Sequence, residues 1–560
     1  MMNFNFKKKN RPTEGVKRSS MLSNIAAVVS LLVVQTSCEA PFEGVTAILT
    51  NNLVDKIITV QVVDANPDAE NPYPENLSVT VSGTAVDQGL VYYSDGSPLG
   101  GGLELVNNTV NLAIRPNTEI ISGQSLKFNV IAEAEGYLSN SIAVTVDAND
   151  DFIYAELNLV NLSALPKGVV AKNASSTDFD QDVPLNDIIV LVEDESSVPD
   201  ESLKARLTFK KGTILKDEDG NNISGNELTA QITYFNGIED DAVLSATGGK
   251  GNIVLEDGSI AIVNGMVDVN AFLNGKKIKS FSNSVIVDIF LESNSFNPKT
   301  NASYKVGDEV TIISRSKAGD EFVNEGKASL VLDESTQRLK VSFNATHFSV
   351  FGAVELYESI TDGGNDKGDD NVGEKDLYEY QFRYKSNGQL FAWGGGYSHT
   401  AEALLKRLSS NIPDVKSDFV LEIYLFGALR VKKTFSSGDS IIIVPTDLLE
   451  NPSPMDKLNF ELQTKCTDGT FLYTGPIQYR LSGTGKWLTF SNAADGLLTT
   501  RLLDWGKTYD FRVTYKGESF VRTKAVIKSH FRKNDNNSYD YWGPDATKKT
   551  FFSAPIGCGG

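Results

Sequence analysis

The chain has 560 residues, 41% of them apolar, a mean hydropathy of −0.19 and a formal net charge of −20. That length suits about three or four domains of roughly 150 residues. A surface this acidic repels phosphate, so nucleic acid is excluded as a partner, because phosphate binding needs clustered Lys and Arg.

Residues 1–20 hold six Lys and Arg against the single Glu14, and an uncharged apolar run follows at 21–34. Fourteen residues do not cross a hydrocarbon core about 30 Å thick, which takes about 20. The run is read as the apolar part of an export signal. Val34, Gln35, Thr36 and Ser37 then lead into Cys38. This stretch resembles the lipobox of bacterial lipoproteins, with Gln35 where that family prefers Leu, Val or Ile. The resemblance implies that Cys38 is acylated, becomes the first mature residue and anchors the protein to a membrane. An ordinary signal peptide with an incidental cysteine is the alternative. Glu39 and Glu43 resemble the surface-export signal of Bacteroidetes lipoproteins, which places the expected location at the outer membrane or cell surface. Cys466 and Cys558 are left in an oxidising compartment, where they form one disulfide or stay as two thiols.

Residues 1–37 are thus signal and 38–44 an anchor segment. From 45 onwards, β-branched alternation with Gly, Asn and Asp turns predicts an all-β chain of antiparallel sandwiches. Strands are expected at 57–63, 77–81, 126–132 and 142–146, giving a first sandwich over 45–162. Its strings VQVVDANPDAENPYPENLSVTVSG and AEGYLSNSIAVTV resemble the prealbumin-like regulatory modules of secreted bacterial proteins. A second β-rich unit covers 163–357, with LTFKKGTILKDEDGNNISG, YKVGDEVTIISRS and THFSVFGAVEL among its segments. Their order resembles the ectodomains of cartilage-intermediate-layer-type proteins, with Phe322 where those motifs carry tryptophan. That family consists of extracellular structural modules.

Residues 358–376 are acidic, glycine-containing and nearly devoid of apolar side chains, so a flexible linker is expected. A β-rich region with one helix follows over 377–454. The helix is expected at 400–410, where Ala401, Leu404, Leu405 and Leu408 fall at helical spacing before Pro413. No helix is expected earlier. Over 455–535, IQYRLSGTGKWLTF and LLTTRLLDWGKTYDFRVTYKG resemble a fibronectin type III module. Tyr509 falls at the tyrosine that pins the corner of such sandwiches, with Trp505 and Lys507 replacing the usual proline and threonine. Residues 536–560 read as a C-terminal tail.

Three histidines, His347, His399 and His530, provide no zinc-ligand spacing. GGGYSHT places Ser398 between glycines and the expected helix, but Thr400 replaces the second glycine of a nucleophile elbow, and a helix cap explains Ser398 or Thr400. Asp217, Asp219 and Asn221 begin like a calcium loop and lack its closing glutamate, so a turn on Asp219-Gly220 is the simpler reading. Calcium is the one cofactor the sequence allows; no other is expected.

Two surfaces stand out. Arg522, Lys524, Lys528, His530 and Arg532 share one strand parity and form an outward basic row, able to meet an anionic glycan or simply to protect an edge. All four tryptophans lie in the last third of the chain. Trp393, Tyr539, Tyr541 and Trp542 are the candidate ligand platform, with core packing as the alternative; Trp487 and Trp505 are expected in the core. No triad, metal set or placed carboxylate pair is recognisable, so a hydrolase is the least favoured class. The sequence favours a lipid-anchored, non-enzymatic surface protein, with a sandwich stalk and a C-terminal module binding glycan or a surface protein. A structural lipoprotein of an outer-membrane complex is the second reading.

Overall fold

In the computed structural model the described residues lie between Asp55 and Pro555; 1–54, 359–375, 399–404, 406–411, 437–455 and 556–560 lie outside them, as do shorter stretches elsewhere. The acidic linker, most of the helix expected at 400–410, Cys38, Cys558 and Trp487 therefore fall outside the described residues. Leu405, the exception within that helix, is helical and buried.

Alternation produces the strands, and their apolar sides meet in pairs of sheets. In the first sandwich, Asp55–Asp64 is central, flanked by Thr109–Ile114 and Phe152–Asn161. A sheet of Ser78–Ser82, Ser125–Glu133 and Asn140–Asp147 completes it. Ile58, Val60 and Val62 are fully buried against Phe128, Val130 and Val144. Asp55–Asp64 runs parallel to Phe152–Asn161, so this sandwich is not wholly antiparallel.

The second unit is a continuous path of ten strands, from Ile188–Glu193 at one end to Val169–Ser176 at the other. Val323–Leu332 carries the path between layers. Its first part pairs with Glu309–Arg315 and its last with Leu339–His347. On the side of Ser280–Phe290 away from the main core, Phe290 is buried beneath Arg206, Arg338 and Lys340. Asp288 and Asp333 both pair with Arg206 and Lys340. These charges seal an apolar ring, a structural use of ion pairs.

In the third unit, Asp376–Tyr384 places Tyr378, Tyr380, Phe382 and Tyr384 on one face by strict alternation. Phe391, Phe419 and Phe435 pack on them, and full burial of such a ring contributes about 1.5–3 kcal/mol. The fourth unit opposes Gly475–Leu481, Thr508–Tyr515 and Glu518–Ala525 to a sheet built on Leu458–Cys466. Tyr509 pins its corner, accepting the backbone N–H of Asp504 at 3.1 Å on its hydroxyl.

Two expectations need correction. Residues 536–560 are more than a tail, because Tyr539–Tyr541 and Thr550–Pro555 are strands running parallel to Leu458–Cys466. A helix at Asp240–Ala246 precedes residue 400, as does the single turn Thr84–Asp87. Two turns burying Ala242, Val243, Ser245 and Ala246 are too short to show a helical period in sequence. Contacts also join sandwiches that are not neighbours in sequence. The first meets the fourth where Arg512 stacks 5.0 Å from the Tyr73 ring and donates to its hydroxyl at 3.0 Å.

Candidate binding surface

The platform and the basic row do not assemble as the sequence suggested. Trp393 lies on Leu390–Ser398 of the third unit, half-buried, its backbone N–H donating to Lys250 O at 3.2 Å. It belongs to a seam between sandwiches. There the helix Asp240–Ala246 ends in Thr247-Gly248-Gly249-Lys250-Gly251, and the loop is pressed against the first sandwich. A Cβ on Gly248 would sit 2.4 Å from Ser141 O, and one on Gly249 2.7 Å from Glu156 O, both at positive φ. Only glycine fits such an approach. Asn140 donates to Ser245 O at 2.8 Å, and Lys250 Nζ donates to Ala143 O. Burial and the neighbouring Lys127 charge push the Lys250 amine down to about 8. Arg315 completes the seam, stacking 4.7 Å from the Phe322 ring while donating to Ser141 Oγ and Asn140 Oδ1.

The other three platform residues lie in the fourth unit and divide. Tyr541 is 8% exposed, edge-on to Phe531 at 5.2 Å within the core, so it offers no platform. Parity decides this, because Tyr541 shares the side of Phe531 across the Phe531–Lys533/Tyr539–Tyr541 ladder. Tyr539 and Trp542 remain half-buried. Trp505 packs on the core as expected, and its indole N–H donates to Asp456 Oδ2 at 2.7 Å.

Cations cover these rings. Lys528 Nζ lies 5.3 Å from the Trp505 ring and 5.2 Å from Tyr539, and it pairs with Asp456 at 3.3 Å. Arg532 lies 4.3 Å from the Trp542 ring, whose backbone N–H donates to His530 O. Burial alone would raise the Asp456 carboxyl. Hydrogen bonds from Trp505 and Lys528, with the charges of Lys528 and Lys533, outweigh that and hold it below the ordinary range.

The basic row is not one strand. Glu518–Ala525 ends before a 3-10 turn at Lys528–His530, and Phe531–Lys533 begins a second strand. Arg522 and Lys524 lie on the edge strand of one sheet, Lys528 and His530 on the turn, Arg532 on the other sheet. Val521 and Ile527, on the parity opposite the basic row, are 44% and 41% exposed, while Val526 is fully buried. The turn breaks the parity that continuous alternation assumed.

One grouping had no sequence signal. Ser314 Oγ lies 3.5 Å from His347 Nε2, with Glu325 beside them. The serine proton points to Glu325 Oε1 at 2.5 Å, and His347 Nδ1 faces its neighbour Thr346 instead of an acid. A nucleophile needs the base to take its proton and an acid to orient the base, so this group acts as a strand tie. At 217–222, Asp217 Oδ1 accepts the N–H groups of Asp219 and Asn221, spending a calcium-type ligand on the turn. Among the described residues no group of three His, Cys, Asp or Glu side chains is placed to hold a metal, and no helix is long and apolar enough to cross a membrane. Ser398 ends its strand, while His399 and Thr400 lie outside the described residues. Cys466 ends the strand Leu458–Cys466.

No family model matches the sequence, and no curated protein matches it. Among solved structures, the chain was aligned with the Bacillus anthracis TIE protein at 7% identity and TM-score 0.13, over 69% of this chain and 49% of that one. It thus spans about half of that protein. BcpA, the major pilin subunit of Bacillus cereus, aligns at 7% identity and TM-score 0.12, over 90% and 100% of the two chains. SpaD, the major pilin of Corynebacterium diphtheriae, aligns at 8% and 0.12, over 90% and 96%. TM-scores of this size define no common fold.

Proposed function

We propose that this chain is a non-enzymatic cell-surface lipoprotein, anchored through Cys38, whose body of joined sandwiches presents the fourth unit as a binding module. The observation that carries this reading is the set of exposed cations on half-buried aromatic rings, Lys528 on Trp505 and Tyr539 and Arg532 on Trp542. Amphipathic rings and Arg are enriched where proteins bind partners. Replacing Cys38 by Ala should release the protein from membranes in fractionation, and proteinase should reach the fourth unit on intact cells. Unchanged membrane association, or protection from proteinase, would refute the respective part.

A scaffold role toward protein partners is the second reading, supported by the buried seam at Gly248–Gly249 and the Tyr73–Arg512 contact, which hold the units to one another. Cross-linking on cells separates the two. Stable capture of one membrane protein, with no binding to glycans, favours the scaffold.

A further inference from the structure

Resting on the binding-module reading, we propose that the fourth unit docks an acidic polysaccharide, with uronate or sulfate groups, along Lys528, Arg532 and Lys533. From Arg501 to the C-terminus there are eleven Lys and Arg against six Asp and Glu, whereas the whole chain has 52 against 72. Positive charge is thus concentrated at the end of an acidic molecule, which draws anions to this unit and repels them elsewhere.

The geometry adds more than charge. A long cation normally loses rotamer freedom when it binds an anion. Here the Trp542 ring already holds the Arg532 guanidinium, and Trp505 with Tyr539 holds the Lys528 ammonium, so part of that ordering precedes binding. Lys533 is exposed and sits opposite Tyr539 across the ladder. Among the described residues, two acids stand nearby and hold hydrogen bonds of their own. Asp540, opposite Arg532, accepts from Asn459 at 2.7 Å and Asn534 at 3.0 Å on one oxygen. Asp456 compensates Lys528 while accepting from Trp505. Lys528, Arg532 and Lys533 thus outnumber the two carboxylates that the described residues place beside them.

An acidic sugar offers an apolar C–H face and an anion within one residue, and a half-buried ring beside a cation offers the complement. A polymer of such sugars can engage several of these units at once, each interaction weak.

The full mature chain is tested by biolayer interferometry against immobilised chondroitin sulfate and polygalacturonate, with dextran as the neutral control. Binding to the acidic polymers and not to dextran is expected, falling at least tenfold on going from about 50 to about 500 mM salt as charges are screened. Lys528→Gln with Arg532→Gln and Lys533→Gln should abolish it, and Lys172→Gln with Lys276→Gln, exposed on the second unit, should not. Trp542→Leu separates ring-held cations from simple attraction. It keeps every charge and should still weaken binding several-fold, with circular dichroism confirming the fold. Dextran binding, or equal loss in the Lys172/Lys276 variant, overturns the proposal. So does undiminished binding by Trp542→Leu, or salt-sensitive self-association without polysaccharide binding. If no polysaccharide binds but cells carrying the protein still adhere to a host or bacterial surface through the fourth unit, this inference fails and the binding-module reading stands. If adhesion is absent too, both fail.

Discussion

The seam around Gly248–Lys250 and the ring-held cations of the fourth unit use similar residue types for opposite ends. At the seam, Lys250 and Arg315 are pressed between sandwiches and donate to Ala143 O, Ser141 Oγ and Asn140 Oδ1. In the fourth unit, Lys528 and Arg532 lie over rings and stay exposed. A cation enclosed between sandwiches fixes domains in place, whereas one resting on a ring at the surface joins no second sandwich. Substitutions at the first region should therefore cost stability, and those at the second should not.

The largest effect is expected from Gly248→Val. Its Cβ collides with Ser141 O in a left-handed backbone, so destabilisation of about 2–4 kcal/mol should appear in urea unfolding, with the first sandwich melting separately. An unchanged midpoint would remove the seam from the comparison. Arg315→Ala removes one donor each from Asn140 Oδ1 and Ser141 Oγ, which keep the N–H groups of Ser141 and Gly319, and should cost about 1–3 kcal/mol.

Lys250 sharpens the contrast through pH. Its folded amine titrates near 8 and its unfolded one near 10.5. Below 8 both states hold the proton and the desolvation penalty is present in full. Between about 8 and 10.5 the folded state releases the proton first, so stability rises with pH. Melting temperatures over that window should rise for the native chain relative to Lys250→Met; parallel curves would contradict this. Tyr509→Phe removes the acceptor of Asp504 N–H and should cost about 1 kcal/mol, confined to the fourth unit. Arg532→Gln is expected to change stability by less than about 0.5 kcal/mol, since a surface charge is being replaced.

Local pattern carried much of this. Alternation announced the strands at 57–63 and 126–132, and the resemblance to a fibronectin type III module pointed to the tyrosine that holds the corner at Tyr509. Patterns failed where the relevant contact is distant or the element short. Tyr541 and Trp542 are adjacent, yet one is core and the other half-buried, because the facing strand Phe531–Lys533 decides which side is inward. The basic row misled because parity was carried through Ile527, where the chain turns.

By itself the sequence determined the all-β class, the turns that separate strands, the acidic charge with its basic C-terminal end, and the expectation of export at Cys38. Each follows from residue type and short-range spacing, which govern backbone preference and net charge. Only the tertiary structure decided that Trp393 belongs to a seam, that Gly248 admits no side chain, and that Arg512 reaches Tyr73 across 439 positions. Such contacts join surfaces of separately formed sandwiches, and the period of a strand says which side is apolar but not which neighbour will cover it.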